Sequence, residues 1–552
     1  MLKNLWQRSF RKESTSIRSA ALLLGAATLA SRFVGIIRDR LLSGAFGAGR
    51  ELDAYYAAFR TPDFIYNLFV LGAITAGFIP VFTAALAKDE HSHDGQIGRA
   101  GNDLASSLLT VLGIGLVVLA GAGILFARQI VALLTPGFDA ATQAFTVSLT
   151  QIMFISPIFL GLSSVLGGIL QTKRRFFIYA LAPVMYNLGI IAGTICLAPS
   201  LGIRGPAIGV AVGAFAHFVV QAIACHAVGF RFRPRWAPHD ENVREIARLT
   251  APRIAGLAVS QVNLFILTGM ASTLGVGGIA MFNLANNLQN FPVGIIGVSF
   301  AVAAFPLISE LAVKGRRGDM VEQFSRTVRT VLFLVIPATV AFLLLRAQIV
   351  RVILGTGRFD WADTIGTANT LAFFTLSLFA QALYPLIVRV FFALRDVKTP
   401  LITAVFAVII ERSLAWYLLK KGMGAPGLAL AFSVGSVLDL ALLWVLLRHR
   451  VGDLAEKKIF IALVQLSGAG LLMALVIQIM KTLLASVVNM QTGLGIFTQG
   501  FLAGVAGLLA YVGVAYAMGS EEAKDVMRLY AKKGMPMPTS DIVQGKETII
   551  AE

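Results

Sequence analysis

Two arginines stand in matching apolar stretches of the chain, one near its start and one near its middle. Arg32 lies in the sequence ASRFVG, and Arg253 lies in the sequence APRIAG. A charge at mid-bilayer depth costs at least about 2.5 kcal/mol, and such a group usually faces a watery cavity or a partner. Two such charges at corresponding places in two halves of a membrane chain are typical of a transporter built from repeats. The pair therefore predicts a cationic site between the halves and an anionic cargo.

Further charged side chains follow Arg32 on the first two apolar segments. Arg32 and Asp39 are seven positions apart and share one helix face, whereas Arg38 points about 120° away. Asp53 and Arg60 are again seven positions apart. Two interpretations stay open for these residues: they line the cavity, or they form structural ion pairs and, for Arg38, reach the lipid headgroups.

The second half carries its own polar groups inside apolar segments. Asparagine binds sugar hydroxyl and amide groups, but it also holds membrane helices together. Some of the amide side chains between residues 283 and 290 are expected to line a polar cavity, and we include Asn287 among the candidate site residues. Glu411 and Arg412 are adjacent, so they are expected to face different sides and to need separate partners.

The composition places these residues in a membrane protein. The chain has 552 residues, of which 57% are hydrophobic and 14% charged, and its mean hydropathy is +0.78. Soluble domains carry about 25% charged residues. The net charge of +18 reflects lysines and arginines in short loops, which orient the chain and contact anionic lipids. Nucleic acid is therefore not an expected partner.

The apolar segments predict an all-α polytopic fold with about 14 transmembrane helices, since a span needs about 20 apolar residues. Basic residues concentrate in the loops at one side, which predicts that both termini are cytoplasmic. The two cysteines lie in apolar segments without metal-ligand spacing. The chain lacks the Walker A, Gly-x-Ser-x-Gly and His-Glu-x-x-His motifs. We therefore expect no enzyme, no metal and no cofactor.

Two halves of the sequence match at an offset of about 220 positions. The sequence GFD at residues 137–139 corresponds to GRFD at 357–360, and GIRGPAIG at 202–209 corresponds to GMGAPGLA at 422–429. Six spans return a chain to the same side, so helices 1–6 and 7–12 are predicted to be parallel repeats followed by two C-terminal helices. The predicted organisation is a basic cytoplasmic N-terminus (1–16), a first lobe (17–230), a cytoplasmic linker (231–243), a second lobe (244–448), helices 13 and 14 (449–518) and a cytoplasmic tail (519–552).

Several motifs together resemble the MurJ/MviN family of lipid II flippases. The resemblance runs from about residue 17 to 518 and rests on these groups: Ser31-Arg32-x-x-Gly35-x-x-Arg38-Asp39, Asp53-Ala54-Tyr55 with Pro62, Pro183 with Asn187, Phe291-Pro292-x-Gly294, and Arg389-x-Phe391-Phe392-Ala393-Leu394-x-Asp396. It implies the fold of the multidrug/oligosaccharidyl-lipid/polysaccharide exporter superfamily in a bacterial inner membrane. It also implies that an undecaprenyl-pyrophosphate-linked peptidoglycan precursor is flipped to the outer leaflet. By matched motif, Arg32, Arg38, Asp39 and Asp53 fall on functionally important positions.

The sequence departs from the family pattern where cations are expected. Counted from the matched motifs, Tyr66 and Asn287 occupy positions at which the family has arginines, and Leu71 replaces a glutamate. We hypothesise that Arg60 and Arg253 supply part of the missing charge.

Other functions remain open at this point. The cargo could be another polyprenyl-linked saccharide, and a cation-coupled multidrug exporter or an inactive scaffold would use the same fold. The expected partners are an anionic diphosphate lipid and the membrane, and a monomer is expected. The coupling ion is left open.

Overall fold

The computed structural model describes residues 17–68, 77–88 and 97–525, and these form an all-helical bundle. The predicted N-terminus at 1–16 lies outside the described residues, as does the tail from 526 onward. In the helices at 17–28 and 252–260, several side chains also lie outside this description.

The helices of the first lobe follow one another with short connections. Their bounds are α1 Ile17–Phe46, α2 Arg50–Tyr66, α3 Ile79–Lys88, α4 Arg99–Leu125, α5 Ala127–Leu134, α6 Ala140–Met153, α7 Ser156–Thr172, α8 Phe176–Ala192, α9 Ala198–Leu201 and α10 Arg204–Ala227. A π-helical turn, Gly193–Leu197, joins α8 to α9.

The second lobe and the C-terminal part continue in the same way. Their helices are α11 Glu241–Ser272, α12 Gly278–Pro292, α13 Ser299–Val313, α14 Arg317–Leu344, α15 Arg346–Leu354, α16 Trp361–Thr375, α17 Leu378–Ala393, α18 Lys398–Lys420, α19 Gly424–Val451, α20 Glu456–Ala485 and α21 Gly493–Ala517.

The apolar helices confirm a polytopic membrane fold, although not the full number of spans. Within the described residues, 10 helices are long and apolar enough to cross a membrane, or 11 if α16 and α17, bent by 46°, form one span. The three remaining predicted spans fall on α1, on α2 with α3, and on α11, where the description is incomplete. The total of about 14 stays a prediction.

Local geometry recurs at the offset seen in the sequence. Arg174 and Arg395 are both left-handed, with φ of 55° and 59°, at the matching turns before α8 and α18. Asp139 and Asp360 both cap a helix by accepting a hydrogen bond from a backbone N–H three residues later. These correspondences support the prediction of two repeats.

Close backbone packing fixes α8, the helix that carries Asn187, the polar partner of Arg38 on α1. A Cβ atom on Gly189 would lie 2.2 Å from the Cα of Gly213 on α10, and one on Gly193 would lie 2.5 Å from the carbonyl oxygen of Gly205. Small residues four positions apart, such as Gly189 and Gly193, let two membrane helices approach closely. The position of Asn187 on α8 is therefore set by α10.

A widened helix follows α12 at the point where it faces α1. Pro292 ends α12, and Val293–Val298 continues as a π-helix. Proline removes a backbone donor and prevents regular helical hydrogen bonding at this point. The widened turn contains Gly294, beside the side chain of Arg32.

Candidate functional site

A buried polar network joins the two lobes in the C-terminal third of α1. The Arg38 guanidinium donates to Oδ1 of Asp39 at 2.9 and 2.8 Å and to Oδ1 of Asn187 at 3.0 Å. The other carboxylate oxygen of Asp39 accepts from Nδ2 of Asn287, on α12 of the second lobe, at 3.0 Å. Asp39 is only 6% exposed. The network therefore connects α1 and α8 to α12 through one carboxylate.

Like Arg38 and Asp39, two sequence neighbours of the second lobe form an ion pair. Arg412 donates to Oε1 of Glu411 at 2.6 Å, and Asn263 of α11 accepts from Arg412 at 2.6 Å. The expectation that Glu411 and Arg412 need separate partners was wrong, because the long arginine stem bends around the helix to reach its neighbour. Arg38 reaches Asp39 in the same way. Each pair thus combines neighbours on one helix with an asparagine on another.

Arg32 lies between α1 and the widened end of α12. Its guanidinium donates to the carbonyl oxygen of Asn290 at 2.9 Å, and a Cβ atom on Gly294 would lie 2.0 Å from Nη2. A larger residue at Gly294 would therefore displace the guanidinium from this position. Arg32 is partly exposed, and this one bond uses one of five donor hydrogens. The arrangement leaves donors for an anionic group that enters between the lobes.

Asp53 of the first lobe caps a helix of the second lobe. Its carboxylate oxygens accept from the backbone N–H groups of Gly277 at 2.5 Å and Ala280 at 2.7 Å, at the start of α12. A carboxylate at a helix N-terminus satisfies free N–H groups and interacts favourably with the helix dipole. The predicted site residue thus fastens the lobes together at one end of the bundle, which we call the Gly47 end.

Further contacts close the Gly47 end, defined by the turns that contain Gly47 and Gly277. Arg40 donates to the carbonyl oxygens of Val352 at 2.5 Å and Ile353 at 3.0 Å. Here the second lobe supplies the side chain: Oδ2 of Asp363 accepts from the backbone N–H of Ala48 at 2.9 Å, next to the start of α2. Asp363 was not among the predicted site residues. The signal in the sequence is a second aspartate three positions after Asp360, which already caps this helix.

Arg60 crosses from the first lobe to the second through neutral partners. Its Nε donates to Oγ1 of Thr268 at 3.0 Å and its Nη2 to Oδ1 of Asn283 at 2.5 Å. The carboxylate of Asp53 faces α12 instead, so it does not pair with Arg60. The Arg60 guanidinium therefore lies in the interface between the lobes. Its role as a replacement for a missing family cation stays a prediction.

Replacing Arg60 by methionine is expected to weaken this interface while the helices stay folded. Hydrogen bonds to charged groups contribute about 1.5–3 kcal/mol each, and Thr268 retains an internal partner in Leu264. We expect thermal unfolding of the purified protein to fall by several degrees. The exposed Arg128, replaced in the same way, serves as the control and should leave the transition unchanged.

Among the remaining candidate residues, the structure describes Tyr66 and Asn287 but not the side chains of Arg253 and Leu71. These two side chains lie outside the described residues, so the charge proposed for Arg253 stays a prediction. Tyr66 is partly buried. Asn287 supplies an amide donor to Asp39 where the family pattern has an arginine.

Two cavities differ in their position relative to this interface. One of 170 Å³ lies at the Gly47 end and is lined in part by Arg50, Asp53 and Asp139. The Asp139 carboxylate accepts from the Thr142 backbone N–H at 3.0 Å, and hydrogen bonding to Thr142 lowers the pKa of Asp139. The other, of 540 Å³, lies on the first lobe away from this interface. The described part of the chain contains no cluster of three or more histidine, cysteine or acidic side chains that could hold a metal ion.

Comparison with known proteins identifies the family to which this arrangement belongs. The family model described as "Lipid II flippase MurJ" matches residues 42–497. The chain belongs to the MurJ family. It is 30% identical over 463 residues to a lipid II flippase MurJ of Burkholderia cenocepacia, with 82% of this chain and 88% of the relative covered. It is also 30% identical to a probable lipid II flippase MurJ of Rhizobium tropici, over 94% of this chain and 97% of that one.

Solved structures agree with this family and fold. A MurJ flippase in an inward closed conformation superposes with a TM-score of 0.73 at 25% identity, over 92% of this chain and 100% of the other. A multidrug resistance transporter of the MATE family, in an inward-facing conformation, superposes with a TM-score of 0.63 at 17% identity, over 77% and 96% of the two chains. The second likeness concerns the fold alone.

Proposed function

We propose that this protein is a lipid II flippase, which moves the undecaprenyl-pyrophosphate-linked peptidoglycan precursor from the inner to the outer leaflet. The match to the MurJ family over residues 42–497 carries this proposal. A flippase moves its lipid without chemical change, so the protein is a transporter and not an enzyme. The precursor and the membrane are then its partners.

The interface between the lobes supports the proposal through its charges. Among the described residues, Arg32 donates one hydrogen bond and keeps further donor hydrogens. Arg60 lies in the same interface, and Arg38 is connected to the second lobe through Asp39. Arginine binds phosphate oxygens in a two-pronged geometry that an ammonium group does not offer. A diphosphate that enters between the lobes would replace the Asn290 carbonyl oxygen as the hydrogen-bond acceptor of the Arg32 guanidinium. The polyprenyl tail would stay in the lipid.

Transport by alternating access assigns a role to the contacts at the Gly47 end. We propose that they form the outer gate, since the basic loops predict that both termini are cytoplasmic and that Gly47 is on the opposite side. The gate is held by Asp53, Arg40 and Asp363. Rocking of the first lobe (17–230) against the second (244–448) would break these bonds and open the cavity outward. The full architecture would have about 14 spans in a monomer.

Arg32→Ala is expected to abolish rescue of a bacterial strain depleted of its own lipid II flippase. The substitution removes the guanidinium that keeps free donors in the interface, and it leaves the capping and ion-pair contacts in place. Rescue is measured as colony formation, with membrane insertion checked by immunoblotting of membrane fractions. Arg128→Ala, which removes an exposed arginine, should restore growth like the wild-type protein. Full growth with Arg32→Ala would exclude a role for this arginine in transport.

A related cargo is the second candidate. Tyr66 and Asn287 take the positions of two family arginines. Fewer positive charges around the lipid-linked group favour a cargo that carries a different charge from lipid II. The alternative cargo is another polyprenyl-linked oligosaccharide. Rescue of strains that each lack one flippase, for peptidoglycan or for a surface polysaccharide, separates the two candidates.

A further inference from the structure

The larger cavity is a groove on the surface of the first lobe that no step of the proposed transport uses. It measures 540 Å³, within the range of about 300–1,000 Å³ typical of pockets that bind small organic molecules. Residues on one face of each of three helices line it, between positions 109 and 118 of α4, 158 and 166 of α7, and 218 and 226 of α10, and most of these side chains are apolar. Val117 and Val118 are 55% and 64% exposed. The groove therefore opens toward the lipid.

A basic segment, residues 230–236, runs from the end of α10 along α4 at the mouth of this groove. Its sequence, FRFRPRW, alternates arginines with aromatic residues and proline. Backbone N–H groups of its three arginines donate to polar side chains that succeed one another by one helical turn on α4. These bonds are Arg231 to Asn102 (2.8 Å), Arg233 to Ser106 (3.1 Å) and Arg235 to Thr110 (3.2 Å). The segment is thus fixed to α4, and Phe230, Phe232 and Thr110 also line the groove.

Two of the three arginines keep their charge available. Arg235 pairs with Asp103 at 3.1 Å. Arg231 contacts the ring and the carbonyl oxygen of His226, a residue that lines the groove, at 2.7 and 3.1 Å. No carboxylate within the described ranges forms an ion pair with Arg231 or Arg233, and both side chains are exposed. Two guanidinium groups therefore stand without a negative partner beside the apolar groove.

We propose that the groove holds one acyl chain of an anionic glycerophospholipid from the surrounding leaflet, whose phosphate is bound by Arg231 and Arg233. Basic pockets between membrane helices bind acidic headgroups in this way, and arginine binds phosphate through paired hydrogen bonds. Trp236 is 61% exposed in the same segment, and exposed tryptophans concentrate at the headgroup level of a bilayer. The exposed tryptophan and the two arginines thus lie at the level of a phospholipid headgroup, and the apolar groove lies where its acyl chain would be.

The position of the groove distinguishes this lipid from the transported one. The groove lies among α4, α7 and α10, whereas Arg32 and Arg60 bond to α11 and α12 across the interface between the lobes. A polyprenyl diphosphate with its headgroup at Arg32 would place its charge away from the basic segment. The phospholipid site is therefore independent of the cargo and of the proposed function.

Native mass spectrometry of the full-length protein from detergent supplemented with phosphatidylglycerol or phosphatidylcholine tests the proposal. We expect one phosphatidylglycerol to stay bound at collision energies that strip phosphatidylcholine. Arg231→Gln with Arg233→Gln should weaken binding on the order of 30-fold, as expected for two arginines at a headgroup. Gly113→Leu should also remove the bound lipid, because even a Cβ atom there would lie 3.2 Å from Leu162 in the groove wall.

A double variant elsewhere controls for net charge. Arg317→Gln with Arg395→Gln removes two exposed arginines from other parts of the chain, and it should keep the lipid bound as in the wild type. Equal retention of the lipid by the two double variants would overturn the proposal. So would equal retention of the two phospholipids, or displacement of the bound phospholipid by one equivalent of undecaprenyl pyrophosphate.

Discussion

Replacing Asp53 by alanine is expected to release the start of α12 and to loosen the Gly47 end of the bundle. The substitution leaves the N–H groups of Gly277 and Ala280 without their acceptor. A buried donor left unpaired costs about 1–3 kcal/mol, so two cost about 2–6 kcal/mol. We expect hydrogen–deuterium exchange in peptides covering residues 275–283 to rise by at least about 30-fold, the ratio that corresponds to 2 kcal/mol.

Glu51 provides a matched control on the same helix turn. It also contacts the second lobe, through Arg358 at 3.3 Å, but both side chains are well exposed, at 40% and 68%. Exposed ion pairs contribute about 0–1 kcal/mol. Glu51→Ala should therefore leave exchange at residues 275–283 almost unchanged. Equal protection in the wild type and in Asp53→Ala would show that Asp53 does not hold the gate.

Replacing Arg38 by methionine is expected to destabilise the protein more than replacing Arg38 and Asp39 together. The single change leaves the buried Asp39 carboxylate with Asn287 as its remaining partner. Removing one member of a buried ion pair costs about 3–5 kcal/mol, whereas replacing both by apolar groups is often neutral. Thermal unfolding in detergent should show a clear fall for Arg38→Met and recovery for Arg38→Met with Asp39→Leu.

The double variant also separates structure from transport. If the network couples the lobes during transport, the double variant folds but does not rescue a flippase-depleted strain. Growth of that strain at the wild-type rate would mean that the network only holds α1 against α8 and α12. A single variant that is as stable as the double one would show that Asp39 is not buried as a charge.

Hydropathy and motif spacing were sufficient to predict the helical membrane fold and the candidate residues. Arg32, Asp53 and Arg60 were all selected as costly charges in apolar segments, and all three contact the second lobe. Their partners could not be predicted in the same way. Asp53 binds backbone groups 224 and 227 positions away, and capping across two helices leaves no periodic pattern in the sequence.

The adjacent ion pairs show a second limit of sequence patterns. Helical periodicity gives the direction of a Cα–Cβ bond, but it does not give the reach of a long side chain. Arg38 and Arg412 both bend back to a neighbouring carboxylate, which the periodicity argues against. Asn287 was identified as a departure from the family pattern, and its bond to Asp39 required the position of α12 relative to α1.

Flipping of fluorescent lipid II in liposomes that contain the purified protein tests the central claim most directly. We expect the wild-type protein to make lipid II that starts in the inner leaflet accessible to a membrane-impermeant quencher. We also expect Arg32→Gln, which removes the charge and keeps a polar side chain, to reduce the rate to that of protein-free liposomes. Wild-type flipping by Arg32→Gln, or no flipping by a correctly inserted wild-type protein, would contradict the account.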